Sequence, residues 1–367
     1  DVSLNEDLYN AVKSYNESPR SKELTGINKK YLEDTMRSYK RLGFDLSKEK
    51  RDELKAIKNR LTLIGLEFNK NITDYADTLV VTEEDIVGTP DWYQKAMYDS
   101  ISETYKIDIS RPSRTPFMRY STSENARRAL TEKYLNRGKN NLEVIPKMVS
   151  EHHNMATVLD YRSYAAYLLE DRMPKNPETV WAFEEDLKKN LRGKAQAEHQ
   201  ELLDLKNRLW GIDDGQINYW NMFFLENILD QEKYQLNDEE ITEYFELNNV
   251  RDGMFMITQA MLGLEYRQIE NPSVWHPDVT MYEVFDSATD ERLGYFYLDL
   301  YPRGNKYSHA AHFGISKGWQ TAGGYQYPTA ALVCNFPKPT NDRPSLLRHG
   351  PNGEVETFFH EFGHLLH

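Results

Sequence analysis

Val355-Glu356-Thr357-Phe358-Phe359-His360-Glu361-Phe362-Gly363-His364-Leu365-Leu366-His367 is the stretch on which the reading of this chain turns. It contains His-Glu-x-x-His. On a helix turning about 100° per residue, His360, His364 and His367 fall within roughly 80° of Glu356. Val355, Phe358, Phe359, Phe362, Leu365 and Leu366 gather on the opposite side. The apolar stripe is expected to bury against a core, and the imidazole stripe to face a cavity. Asn352 and Gly353 read as the start of this helix.

His360 and His364 stand one turn apart, about 6 Å along the axis. That spacing lets two imidazole nitrogens reach one Zn2+ ion at about 2.0–2.1 Å. Glu361 points to one side of the metal direction. It can take a proton from a water whose pKa the ion has lowered, as that water attacks a carbonyl carbon. Together these residues carry the signature of metal-assisted peptide hydrolysis. Glu361 is thus the candidate base, and His360 and His364 are the candidate ligands of one zinc ion.

The zinc class follows from what stands after the motif. A metzincin needs Gly three residues past the second His, and position 367 is His. Two His plus a downstream carboxylate is the remaining common class. The third ligand is therefore expected beyond His367. His367 itself either touches substrate or a ligand ring, or is a polar residue at a fraying helix end. Glu356 either orients the His360 ring from behind, or is a first-turn acid favoured by the helix dipole.

Composition sets the outer bounds. At 367 residues the chain can hold more than one substantial core. Its net charge of -13 argues against nucleic acid or an anionic membrane as the main partner. Neither a membrane span nor a signal peptide is visible. Cys334 is the single cysteine, which excludes an internal disulfide and favours a reducing, cytoplasmic setting. An organellar setting remains open if a transit segment once preceded Asp1. Cys334 lies in an apolar run and reads as a buried, inert thiol.

Three regions follow one another: an N-terminal helical region over 1–145, a second helical region over 146–270, and the start of a catalytic region over 271–367. Leu54, Ile57, Leu61, Ile64 and Phe68 recur at helical spacing. Asn176-Pro177 reads as an N-cap and first helical residue, with Val180, Phe183, Leu187 and Leu191 behind it. Asn237 with Glu240 resembles a capping box.

The texture changes near Asn271-Pro272. Residues 280–286 (TMYEVFD) and 293–301 (LGYFYLDLY) alternate and predict a β-hairpin. Phe296, Leu298 and Leu300 share one face; Tyr295, Tyr297, Asp299 and Tyr301 share the other. The Gly-rich stretch 318–325 reads as a mobile loop. Residues 329–336 (TAALVCNF) form a third strand candidate. Its residues Ala330, Ala331, Leu332, Val333, Cys334 and Asn335 are expected to make an exposed edge on which an extended peptide could pair. An interior strand is the alternative. His309 and His312 read as ordinary polar residues.

Residues 275–286 (WHPDVTMYEVFD), 294–303 (GYFYLDLYPR), 327–347 (YPTAALVCNFPKPTNDRPSLL) and 354–367 (EVETFFHEFGHLLH) carry a family likeness. Through them the chain resembles the thimet oligopeptidase, neurolysin and saccharolysin group of zinc oligopeptidases. Softer matches run through 161–169 and 236–245.

The resemblance implies a mainly α, multi-helix, two-lobed zincin-type fold, truncated here, with a small β-sheet before the active-site helix. Its lobes would flank a narrow channel that admits short peptides and excludes folded proteins. His360 and His364 would bind zinc and Glu361 would act as general base. The family's third ligand, a Glu, and its Tyr and His transition-state stabilisers would belong to a missing C-terminal portion. The expected activity is endo-acting peptide hydrolysis. A non-catalytic peptide-binding scaffold and an exo-acting peptidase are the alternatives.

Overall fold

The computed structural model describes residues 5–304, 306–350 and 353–367. The chain is mainly α-helical with small β-sheets. Its residues fall into two compact units that interleave along the sequence. One comprises Asp1–Ala76 with Asn136–Gln200, the other Asp77–Leu135 with Glu201–His367.

The first unit is helical. Ser47 caps the helix Lys48–Thr73 by accepting a hydrogen bond from the Lys50 N–H. Leu54 and Ile57 on that helix bury against Met155, Val158 and Leu159 of the segment that includes helix Val144–Val158. Tyr9, Tyr39 and Phe44 form a second, aromatic cluster. Helix Pro177–Trp210 begins as the Asn-Pro pair predicts, with the Asn176 side chain accepting from the Thr179 N–H at 2.9 Å. Its periodic apolar residues Phe183, Leu187 and Leu191 stay exposed.

The second unit opens on a three-stranded antiparallel sheet. Its strands β1 (Thr78–Val81), β2 (Tyr98–Asp99) and β3 (Thr104–Asp108) lie in the order β1-β3-β2. Beside it the Arg127 guanidinium is fully buried. It donates to the Ser121 and Trp220 carbonyls and to Asn221 Oδ1, and lies over the Phe224 ring at 4.2 Å. Further on, Asn237 caps the short helix Asp238–Thr242 through the Glu239 N–H.

The larger sheet positions the site. It contains β4 (Leu264–Gln268), β5 (Thr280–Asp286), β6 (Arg292–Asp299), β7 (Ala311–Ser316) and β10 (Thr329–Val333), in the order β4-β5-β6-β10-β7. β5 and β6 form the expected antiparallel hairpin. β10 then enters between β6 and β7, parallel to the first and antiparallel to the second.

Two sequence expectations change here. Ala330 to Asn335 do not form an edge. β10 is an interior strand paired on both sides, and Ala331, Leu332, Val333 and Cys334 are buried. An apolar run with no polar alternation suits that place better than an edge. The edge is β7. The stretch 318–325 is also more than a loop: β8 (Trp319–Thr321) pairs antiparallel with β9 (Gly324–Gln326) as a tight hairpin.

One face of the sheet is covered by helix Leu247–Leu262 and by the motif helix Glu354–Leu366. Phe296, Leu298 and Leu332 from the strands, with Cys334 just past β10, meet Met254, Phe358 and Phe362 from the helices. Phe362 packs edge-on against Phe296 at 5.5 Å between ring centroids and against Tyr266 at 5.8 Å. Phe358 meets Phe336 at 5.2 Å. Fully burying each such aromatic contributes about 1.5–3 kcal/mol. This contact fixes the roll of the motif helix about its own axis.

Candidate active site

Gly353 caps the motif helix with extended backbone. Its neighbours leave no room for a side chain: a Cβ there would come within 2.4 Å of the Arg348 carbonyl oxygen. Asn352, expected to share this start, lies outside the described residues. Glu354 accepts from the Arg348 N–H at 2.9 Å, which ties the incoming chain to the first turn. Of the expected apolar stripe, Val355, Phe358 and Phe362 are buried, and Leu365 and Leu366 are partly so. Phe359 departs from it: at 37% exposure it borders the polar face.

The opposite face carries the imidazoles. His360 and His364 are both solvent-exposed. Their Nε2 atoms lie 3.0 Å apart, with ring centroids at 4.7 Å and planes at 81°. Two nitrogens that each lie about 2.0–2.1 Å from one ion in tetrahedral geometry are about 3.3 Å from one another. The two nitrogens face one another outside the core, at the distance of a direct N–H···N hydrogen bond and slightly closer than a shared ion would set them. The pair's donor set, two imidazole nitrogens, suits zinc. Among the described residues no cluster of three or more His, Cys, Asp or Glu is arranged to hold a metal.

Glu361 leaves the face of the two rings. Its Oε2 accepts a hydrogen bond of 3.2 Å from the backbone N–H of His312 on β7. The base candidate thus sits between the imidazole pair on its own helix and the edge of the sheet. His312 enters the site through its backbone. No local pattern marks that contact, because any residue other than proline at that register would supply the same N–H.

The other candidates are placed as follows. Glu356 is exposed in the first turn, where an acid favours the helix dipole. His367 is exposed, and its N–H donates to the Gly363 carbonyl at 3.2 Å. Cys334 is fully buried, and burial pushes its thiol well above the ordinary range. It is inert packing.

A buried ion cluster behind the site escaped sequence reasoning. Asp299 ends β6, and alternation placed it on the face shared by Tyr295, Tyr297 and Tyr301. Its side chain is only 2% exposed. It accepts from Arg303 at 2.6 and 2.7 Å and from Trp275 Nε1 at 2.9 Å, and it pairs with Lys306 at 2.9 Å. Burial alone would raise this carboxyl. The hydrogen bonds from Arg303, Lys306 and Trp275 outweigh it and hold the pKa at about 2. The signal available in the sequence was the spacing of two cations, four and seven residues after Asp299.

Comparison with known proteins bears on this geometry. The sequence profile of peptidase family M3 matches residues 117–367. The chain is 33% identical to the thimet-like oligopeptidase of Dictyostelium discoideum over its full length, covering 56% of that protein. It is 32% identical to saccharolysin of Saccharomyces cerevisiae, covering 92% of this chain and 49% of the relative. It is 30% identical to oligopeptidase A of Escherichia coli, covering all of this chain and 55% of the relative. The chain spans about half the length of these curated relatives.

Proposed function

The chain belongs to peptidase family M3, and on that premise we propose that it carries the metal-binding helix of a zinc-dependent oligopeptidase that cuts internal bonds of short peptides. His360 and His364 would hold the ion, and a third, carboxylate ligand completes a site of this class. Bound there, zinc would polarise a carbonyl and lower the pKa of a water.

The chain's own residues do the rest. Glu361 takes a proton from the attacking water at its carboxylate and can return it to the leaving amine. The His312 N–H holds that carboxylate in place and does not itself titrate. β7 is an edge strand, and beyond the His312 N–H that Glu361 occupies an extended peptide can lie along it by backbone hydrogen bonds, with its side chains alternating between faces. The single, buried Cys334 fits a reducing compartment, and a cytoplasmic location is part of the proposal. No helix among the described residues is long and apolar enough to cross a membrane. Neither nucleic acid nor lipid is included as a partner.

The observation that supports this most strongly is the convergence of the two Nε2 atoms at 3.0 Å with Glu361 turned toward the edge strand. The test is peptide hydrolysis by the full-length protein and its Glu361→Gln variant, with zinc content measured in both. Zinc retained and turnover lost supports the assignment. Zinc bound with no peptide cleaved by the wild type would favour a binding scaffold instead.

A further inference from the structure

Between the end of β6 and the start of β7 the chain must turn around the ends of β6 and β10 and return along the free side of β10. Two side chains pin this turn. The Lys306 ammonium is 3% exposed and donates to the carbonyls of Asp299 at 3.0 Å, Tyr301 at 2.6 Å and Cys334 at 2.6 Å. Asn335, two residues past β10, aims its Nδ2 at two carbonyls of the incoming segment. It donates to Tyr307 at 2.9 Å and to His309 at 2.9 Å.

The ladder leaves that segment at Ala311, opposite Val333. One residue later comes His312, whose N–H holds Glu361. Asn335 therefore grips the chain three residues before the N–H that orients the candidate base. An edge strand has a partner on one side only, so its end frays unless something else holds it. The register shift near the other end of β7, at Thr329/Ala330, leaves the His312 end as the regularly paired one.

The geometry points to Asn335 as a positioning residue for the reaction: its amide bridges two carbonyls of the turn into β7 and so sets the His312 N–H against the Glu361 carboxylate. Only a planar NH2 group offers two donors from so short a stem. An aspartate of the same shape accepts only and would repel both carbonyls. Lys306 anchors the first half of the turn, but it is bound up with the buried Asp299 charge, and its loss would disturb the fold more widely. Asn335 is half-buried and can be changed with less damage. The inference rests on Glu361 being the proton acceptor.

The experiment compares the full-length protein with its Asn335→Asp variant by steady-state kinetics and by backbone amide exchange without metal. A shift in the base's support should lower kcat by about 10–100-fold while KM changes by less than about two-fold. In the metal-free protein the amides of 311–314 should exchange faster, with those of β5 and β6 unchanged. If the acidic variant does not fold, Asn335→Ala removes the bridge without adding a charge and should give the same local exchange pattern. Unchanged protection at 311–314, or a kcat equal to wild type, overturns the proposal. A wild type that cleaves no peptide while the exchange difference persists would count against the peptidase assignment, leaving the structural bridge intact.

Discussion

The Glu361 carboxylate and the His312 backbone N–H meet at 3.2 Å, joining the residue between two imidazoles to the edge of a five-stranded sheet. The motif helix alone would leave Glu361 on a freely rotating stem. The sheet edge gives it a fixed direction, and the buried Phe358 and Phe362 hold the helix in the roll that makes the contact.

Replacing Glu361 with Gln keeps the shape and still offers an oxygen to His312. It removes the ability to accept a proton. Turnover of a short peptide by the full-length protein should fall by about 10²–10⁴-fold. Zinc content and thermal midpoint should match wild type, as metal analysis and thermal denaturation would report.

The two sides of the motif helix should respond differently to truncation. Phe362→Ala removes a fully buried ring and should cost about 3–5 kcal/mol. Phe359→Ala, at the exposed border, should cost less than about 1 kcal/mol. Denaturant midpoints of the two variants decide this, and equal losses would mean the helix faces are misassigned.

The motif helix was legible in the sequence because its signal is local. Ligand spacing, apolar stripe and first-turn acids all fall within thirteen residues. The β5–β6 hairpin was legible for the same reason, since alternation and a turn suffice. The place of β10 was not. Its parallel pairing with β6 joins Thr329 to Tyr295 across more than thirty residues, and no local pattern encodes that choice. β7 was missed although Ala311, Phe313 and Ile315 alternate with His312, Gly314 and Ser316: the stretch is only six residues long and a glycine interrupts it, and in the fold Phe313, Gly314 and Ile315 are all exposed. Asp299 read simply as one more residue of the tyrosine face because its burying partners, Trp275, Arg303 and Lys306, lie outside the strand, on both sides of it in sequence.

Acid should weaken the second unit through Asp299. Its carboxyl is held at about 2, below the ordinary aspartate value of 3.8. A depressed folded pKa gives stability that is complete above the unfolded value and is lost as pH falls from there through the folded one. The contribution is about 2 kcal/mol, vanishing between about pH 4 and pH 2. Asp299→Asn should abolish this part of the pH dependence. It should also destabilise at neutral pH by about 3–5 kcal/mol, because Arg303 and Lys306 lose their counter-ion. Urea unfolding from pH 2 to pH 7 reads both effects.

Arg127→Lys should be costly despite its conserved charge. The guanidinium reaches three acceptors and stacks on Phe224, and an ammonium cannot reproduce that planar fork. A loss of about 2–4 kcal/mol is expected from the stranded buried acceptors. Thermal or urea denaturation would show it as a lowered midpoint with native helix content.

The convergence of His360 and His364 is tested most directly by counting zinc in the purified full-length protein after dialysis against a weak chelator. One ion per chain in the wild type, and none in either His360→Ala or His364→Ala, is the expected result. A full equivalent of zinc retained in both variants would place the metal elsewhere and contradict the assignment.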